Sequence, residues 1–260
     1  MSALRELDLD AIAAIVDTAS HTASAIPQLS ETGNDLTLEQ AYEVQRRSVQ
    51  RRYDRGQRQV GVKMGFTSRA KMIQMGLDQM IWGRLTNSML VEDGGEIDLT
   101  DFVHPRVEPE IAFLLNKPLA GIVSPAEAML SVEAIAPALE IIDSRYENFK
   151  FNLPDVVADN TSTSAYVVGP WVKPDLDITN LGMIMSFDGV PVQIGSSAAI
   201  LGHPLRALVG AAKLVAESGG RLEAGWTIMA GGATAAEALK SGVHVRLEAQ
   251  NMGIVNFSVK

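Results

Sequence analysis

The segment HPRVEPEIAFLL, residues 104–115, places two glutamates at the start of a long apolar run. Because side chains alternate between the two faces of a β-strand, Glu108 and Glu110 point to the same face. The opposite face of this strand is apolar and consists of Val107, Pro109, Ile111 and Phe113. Two like charges this close repel each other and raise the pKa of at least one of them, so the pair requires either water or a cation.

A third carboxylate, Glu140, interrupts the apolar segment ALEIIDSRY, residues 138–146, which predicts a central strand. Between the two strands, SPAEAMLSVEAI (124–135) predicts a helix with a capping box at its start. A strand–helix–strand unit brings two strands side by side, so the three carboxylates would converge on a hard divalent cation such as Mg²⁺. An edge strand that turns its glutamates to water is the alternative interpretation.

Composition narrows the chemistry of any such site. The chain has 260 residues, no cysteine, four scattered histidines and a formal net charge of −9. Without cysteine a thiolate nucleophile or sulfur-based metal site is excluded, and a metal would be held mainly by oxygen, which suits magnesium or manganese. The negative charge argues against a nucleic-acid partner. No apolar stretch approaches the ~20 residues of a membrane span, and the start lacks the regions of a secretory signal, so we expect a cytoplasmic protein.

The hydrophobic pattern predicts an α+β protein, a mixed-sheet β-rich roll with a helical N-terminal region. We expect residues 1–57 to form that helical region, packed on a mixed β-sheet catalytic domain of residues 58–260. The first part contains predicted helices within 7–25 and at 38–55. In the second part the sequence predicts strands at 59–66 and 120–123, hairpins at 183–195 and 244–260, and an amphipathic helix at 204–220.

Two further segments carry candidate site residues. GVKMGFTS, residues 61–68, places Lys63 among apolar residues and glycines. The lysine either extends to the surface along an apolar stem or reaches a substrate carboxylate or enolate oxygen. AGGATAAEAL, residues 230–239, is a turn of small residues whose glycines permit close approach of a ligand or simply form the turn. It matches neither GxGxxG nor a P-loop, so we predict no nucleotide site.

The chain resembles the hydratase/decarboxylase branch of the fumarylacetoacetate hydrolase superfamily. The segments that carry the resemblance are GVKMGFTSRAKMIQMGLDQMIWGRL, PRVEPEIAFLL, ALEIIDSRY, ADNTSTSAYVVG and AGGATAAEAL. The resemblance covers essentially the whole chain, and KMGFTSRAK and AGGATAAEAL are decarboxylase-like. Hydratases of the branch tend to carry a threonine–glycine pair where Ala230 and Gly231 stand, so no role is carried over from that threonine.

The resemblance implies a set of site residues. Glu108, Glu110 and Glu140 match the family's metal ligands, and Lys63 matches its active-site lysine. Ser162, in NTSTS, matches a position near the substrate.

Residues 71–84 resemble the family's mobile lid, in which Leu77 and Trp82 would cover the ligand. Ordinary core packing of these two side chains is an almost equally good interpretation of the same pattern.

The implied activity is metal-dependent decarboxylation of 2-oxo-3-hexenedioate to 2-hydroxypenta-2,4-dienoate and CO₂, in the meta-cleavage degradation of aromatic compounds. Mg²⁺, with Mn²⁺ as the alternative, would stabilise a dienolate, and Lys63 would offset the negative charge of the glutamates. The resemblance also implies a complex with vinylpyruvate hydratase. Two alternatives stay open: hydration of 2-hydroxypenta-2,4-dienoate itself, and a non-catalytic role as a partner of that hydratase.

Overall fold

The computed structural model describes residues 7–68, 72 and 80–260. The α-helices within that part of the chain are α1 (Leu9–His21), α2 (Leu38–Asp54), α3 (Pro125–Met129), α4 (Leu153–Ala158) and α5 (Leu205–Glu217). The strands there are β1 (Gln59–Gly65), β2 (Ile81–Thr86), β3 (Leu90–Val91), β4 (Glu96–Ile97), β5 (Pro105–Leu115), β6 (Val132–Asp143), β7 (Thr163–Val168), β8 (Gly182–Phe187), β9 (Val190–Ser196), β10 (Thr227–Met229), β11 (Glu237–Ala238), β12 (His244–Ala249) and β13 (Gly253–Val259). None of these helices is both long and apolar enough to cross a membrane.

Two mixed sheets form the main body. The larger has the order β2-β1-β10-β5-β6-β7-β3, and β11 pairs with β5 beyond the end of β10. The pairs β1–β10 and β3–β7 are parallel, whereas β5 and β6 pair antiparallel over their length. The smaller sheet has the order β4-β13-β12-β8-β9 and contains both predicted hairpins. The predicted α+β class with a mixed sheet is confirmed.

One apolar core lies between the two sheets, because each presents alternate side chains to the other. Its members include Val107, Ile111 and Phe113 from β5 and Met183, Met185 and Phe257 from the smaller sheet. The apolar face of β5 is therefore used for the core, which leaves its opposite face, with the glutamates, for another purpose.

The two N-terminal helices begin where the sequence predicts. Asp8 caps α1, and the Thr37 side chain forms a capping box with Gln40 at the start of α2. Their apolar faces join Val157 of α4 and Ile81 of β2 in a second core cluster. The helical region thus lies against the larger sheet, whereas its division from the rest after residue 57 stays a prediction.

Two predictions between β5 and β6 are wrong. The helix expected at 124–135 is only the short α3, because Val132 already begins β6 and pairs with Leu115. Pairing with the long strand β5 outweighs the helical propensity of the residues that follow Met129. The strand expected at 120–123 is a bend, since Gly121 adopts a φ of +73° that suits a turn.

Candidate metal centre

Three carboxylates meet on one face of the β5–β6 pair. Glu108 lies directly opposite Glu140 in the antiparallel register, and Glu110 follows two residues further along β5 on the same face. One carboxylate oxygen from each residue lies within 4.8 Å of the others. This arrangement follows from two-residue alternation in β5 and from the register that places β6 beside it.

Burial makes this cluster costly unless it receives positive charge. Glu110 and Glu140 are both 0% exposed, and the backbone N–H of Gly231 donates a 2.7 Å hydrogen bond to Oε2 of Glu110. Within the described residues, Oε1 of Glu110 and Oε1 of Glu140 accept no hydrogen bond although both are buried. Burial raises the pKa of Glu110 well above its ordinary value, and the charges of Glu140 and Glu108 raise it further, while Lys63 lowers it.

Lys63 supplies part of the missing positive charge. Its Nζ lies 3.2 Å from Oε2 of Glu140, to which it donates a hydrogen bond, and 3.2 Å from Oε1. The side chain is buried, so the alternative of a surface lysine is excluded. Lys63 lies on β1 and Glu140 on β6, two strands that are separated by β10 and β5 in the sheet, and β10 ends at Met229, the residue paired with Lys63.

The two glycines after β10, Gly231 and Gly232, let the backbone lie close to the carboxylate cluster. A Cβ on Gly231, whose φ is +96°, would lie 2.0 Å from Oγ1 of Thr67. A Cβ on Gly232 would lie 2.3 Å from Oε2 of Glu108. A contact of that length is a steric overlap, so any larger residue would displace the carboxylate. The segment AGGATAAEAL is therefore part of the site rather than a plain turn.

A cavity of about 320 Å³ opens beside the cluster. Lys63, Glu108 and Gly232 line one end of it. Its other walls are mainly apolar and include Met64, Phe66, Ile81, Ile142, Phe149, Phe151 and Val156. A charged end beside an apolar wall suits a small organic acid that must be held away from water.

Ser162 lines this cavity, on a strained backbone. Asn160, Thr161 and Ser162 have φ values of 47°, 56° and 57°, a left-handed run that costs free energy in residues other than glycine. Arg145 anchors Asp159, the residue just before this run. Its Nε donates a 2.6 Å hydrogen bond to Oδ1 of Asp159, and its Nη2 donates a 2.7 Å hydrogen bond to the backbone carbonyl of Asp159. The buried hydroxyl of Ser162 has no hydrogen-bond partner within the described residues, so it is available to a ligand.

Of the two predicted lid residues, Leu77 and Trp82, the structure describes only Trp82. Leu77 lies outside the described residues. Trp82 is 2% exposed and stacks on Tyr42 with a centroid distance of 5.8 Å, while the guanidinium of Arg84 lies 4.5 Å from the centre of its ring. Its neighbour Ile81, rather than Trp82, lines the cavity, which favours core packing for the tryptophan in this conformation.

Sequence reasoning missed Arg106 and Phe149, which both line the cavity. The guanidinium of Arg106 lies 4.6 Å from the ring centre of Phe149. Arg106 precedes Glu108 by two residues on the same strand, so the alternation that pairs the glutamates also places this arginine on their face. No comparable pattern in the sequence indicates Phe149.

A model of the fumarylacetoacetate hydrolase C-terminal family matches residues 58–260 of the chain. The chain belongs to the fumarylacetoacetate hydrolase family. A 4-oxalocrotonate decarboxylase of Pseudomonas sp. is 59% identical over 97% of this chain and 98% of its own length. A 2-keto-4-pentenoate hydratase of Paraburkholderia xenovorans strain LB400 is 36% identical over 86% of this chain and 84% of its own length.

A solved structure has nearly the same fold as this family member. It is a 4-oxalocrotonate decarboxylase from Pseudomonas putida G7, complexed with magnesium and adipate, which matches with a TM-score of 0.95 and 36% identity. The match covers 98% of this chain and 100% of that chain. These findings confirm the family that the sequence predicts, over both the helical region and the sheets.

Proposed function

We propose that this family member is a metal-dependent carboxy-lyase that converts 2-oxo-3-hexenedioate, also called 4-oxalocrotonate, to 2-hydroxypenta-2,4-dienoate and CO₂. The names of its most similar relatives support this reaction, which belongs to the meta-cleavage degradation of aromatic compounds. One observation carries the proposal: within the described residues, Oε1 of Glu110 and Oε1 of Glu140 are buried and accept no hydrogen bond, in a cluster whose three carboxylates each place an oxygen within 4.8 Å of the others. A divalent cation is the partner that satisfies both.

The residues present fit magnesium. Glu108, Glu110 and Glu140 supply only oxygen ligands, which hard cations prefer, and the three carry more negative charge than Lys63 can balance. The magnesium in the solved decarboxylase of similar fold supports the same ion here, with manganese as the alternative. We therefore assign the three glutamates as the residues that would hold the cation.

The chain's own groups account for the rest of the chemistry. When bound, a divalent cation supplies Lewis-acid stabilisation of negative charge on the keto oxygen of the substrate. Decarboxylation breaks the bond between C5 and the C6 carboxylate, and its electron pair passes along the conjugated chain to the C2 oxygen. That oxygen then takes up a proton from solvent to give the 2-hydroxy product. Lys63 lies beside Glu140, where its ammonium donates to substrate oxygens and offsets the negative charge of the glutamates. Ser162 offers a hydroxyl to orient the substrate, and the apolar walls exclude water from the departing carboxylate, which favours neutral CO₂.

A spectrophotometric assay of 2-oxo-3-hexenedioate decarboxylation tests the proposal. We expect turnover with Mg²⁺, loss of turnover on addition of EDTA, and recovery when Mg²⁺ is restored in excess. Turnover that is unchanged in EDTA, by protein shown to be metal-free, would contradict the metal-dependent reaction.

Hydratase activity is the second candidate, because the hydratase of Paraburkholderia xenovorans is 36% identical over 86% of this chain. Incubation with Mg²⁺ and 2-hydroxypenta-2,4-dienoate separates the two, since a hydratase yields 4-hydroxy-2-oxopentanoate whereas a decarboxylase leaves the dienol to ketonise. Turnover by the isolated chain would likewise argue against a purely non-catalytic partner. A complex with vinylpyruvate hydratase and a cytoplasmic location stay predictions.

A further inference from the structure

Arg106 carries a positive charge in the cavity that the metal-centre chemistry leaves unused. Among the described residues that line the cavity, the cations are Lys63 and Arg106. Lys63 is paired with Glu140, whereas Arg106 makes no ion pair with any described residue and contacts the face of Phe149 instead. Three carboxylates, one divalent cation and Lys63 sum to a formal charge of zero. Among the described residues that line the cavity, Arg106 therefore carries the remaining positive charge.

The position of Arg106 is fixed by both its strand and its aromatic partner. It lies on β5 on the same face as Glu108, where residues two apart are separated by roughly 6.6 Å along a strand. Phe149 adopts an unfavourable φ of +57° and packs against Phe151 at 5.6 Å and against His104 at 6.3 Å between ring centres. A bulky residue held in the left-handed region beside a cavity is strain of the kind that positions a ligand contact.

The spacing matches the substrate class. A six-carbon dicarboxylate built from carbon–carbon bonds of about 1.5 Å spans roughly 6 Å between its carboxyl carbons. If its 2-oxo acid end lies at the glutamate cluster, its far carboxylate reaches the level of Arg106. A planar guanidinium is the side chain best suited to binding a carboxylate through two parallel hydrogen bonds.

We infer that Arg106, stacked on Phe149, binds the second carboxylate of the substrate and makes this chain select dicarboxylic over monocarboxylic 2-oxo acids. The inference rests on the proposed function and concerns specificity. The paired carboxylate loses its charge as it leaves as CO₂, so the ion pair is stronger in the ground state than in the transition state. Arg106 therefore contributes to binding and does not accelerate carbon–carbon cleavage.

Calorimetric titration of the Mg²⁺-loaded protein with two unreactive ligands tests this directly. 2-Oxoadipate carries both carboxylates but lacks the C3=C4 bond, and 2-oxohexanoate lacks the second carboxylate. A charge-assisted hydrogen bond contributes about 1.5–3 kcal/mol, so we expect 2-oxoadipate to bind about tenfold to a hundredfold more tightly. Arg106→Leu should abolish this preference while leaving the affinity for 2-oxohexanoate unchanged, and Arg106→Lys should keep part of it.

Arg221→Leu is the matched control, because this exposed arginine pairs with Glu223 and does not line the cavity. It should keep the full preference. If Arg106→Leu loses its folded circular dichroism spectrum, Arg106→Gln repeats the measurement with a polar side chain of similar reach. In the decarboxylation assay of Arg106→Leu, KM should rise while kcat does not fall.

A preference for 2-oxoadipate that survives in Arg106→Leu would overturn the inference. So would an equal loss of affinity for both ligands, because that result indicates a general electrostatic or structural effect. If the wild-type protein binds neither ligand in a Mg²⁺-dependent way, the proposed function fails, and the specificity inference fails with it. Mg²⁺-dependent binding of 2-oxohexanoate without discrimination would reject the role of Arg106 alone.

Discussion

Replacing Glu110 with glutamine should stabilise the metal-free protein while it abolishes metal binding. Glu110 is fully buried, and burial together with the charges of Glu140 and Glu108 raises its pKa well above the ordinary value of 4.5. The folded state therefore binds this proton more tightly than the unfolded chain does. The metal-free wild type must lose stability as the pH rises above about 4.5, with a slope of up to about 1.4 kcal/mol per pH unit. Glutamine does not titrate and removes that slope.

The size of the effect follows from the spacing of the carboxylates. Two unit charges within 4.8 Å of each other repel by about 3.5 kcal/mol or more at an effective dielectric constant of about 20, and the lost attraction to Lys63 offsets part of this. Glutamine keeps the acceptor for the N–H of Gly231 and removes one charge from the cluster. We expect Glu110→Gln in EDTA at pH 8 to be more stable by roughly 2–3 kcal/mol, which raises Tm by roughly 5–10 °C in a chain of this length.

Differential scanning calorimetry at pH 5, 6.5 and 8, with EDTA and with Mg²⁺, measures both consequences. The wild type should gain stability from Mg²⁺, by about 2.7 kcal/mol at a concentration of 100 Kd, whereas Glu110→Gln should gain little. Glu217→Gln is the control, because Glu217 is exposed and its pairing with Lys213 at 3.7 Å contributes little. If Glu110→Gln in EDTA is less stable than wild type at every pH, the carboxylates do not repel as the geometry requires, and the reasoning is wrong.

Three further substitutions test the other groups of the site. Lys63→Met should lower kcat by about a hundredfold or more while calorimetry still detects Mg²⁺ binding, since the ammonium acts on substrate charge; unchanged turnover would remove the lysine from the mechanism. Gly232→Ala should weaken Mg²⁺ binding by about tenfold or more, because its methyl group would overlap the Glu108 carboxylate. Gly182→Ala is the control and should bind Mg²⁺ like wild type, since a Cβ there would lie 3.7 Å from its nearest neighbour, an ordinary contact. Ser162→Ala should raise KM several-fold without loss of Tm, because the buried hydroxyl has no partner within the described residues, and a large fall in Tm would instead indicate a structural role.

Local patterns in the sequence predict several residues of the site, although other members of the site lie far apart in the chain. Alternation in β5 places Glu108 and Glu110 on one face whatever the rest of the chain does, because a strand repeats every two residues. The same alternation places Arg106, two residues before Glu108, on the face of the glutamates, so the sequence pattern also contains this arginine. The caps at the starts of α1 and α2 are equally local, since their hydrogen bonds join residues two or three apart.

Contacts between distant segments account for what the sequence did not predict. The helix expected after Ser124 gives way to β6 at Val132, because the residues from Val132 onward pair with the distant strand β5. Trp82 carries no local signal that separates a ligand contact from core packing, and the choice depends on Tyr42, 40 residues earlier in the chain.

The sequence by itself determined the family, the expectation of a metal held mainly by oxygen, and the faces of the strands, because these depend on residue type and on short-range periodicity. Tertiary structure alone decided that Lys63 is buried against Glu140 and that the turn at Gly231 and Gly232 touches the carboxylates. Both depend on the strand order β1-β10-β5-β6, because this order brings together segments that lie far apart in the chain.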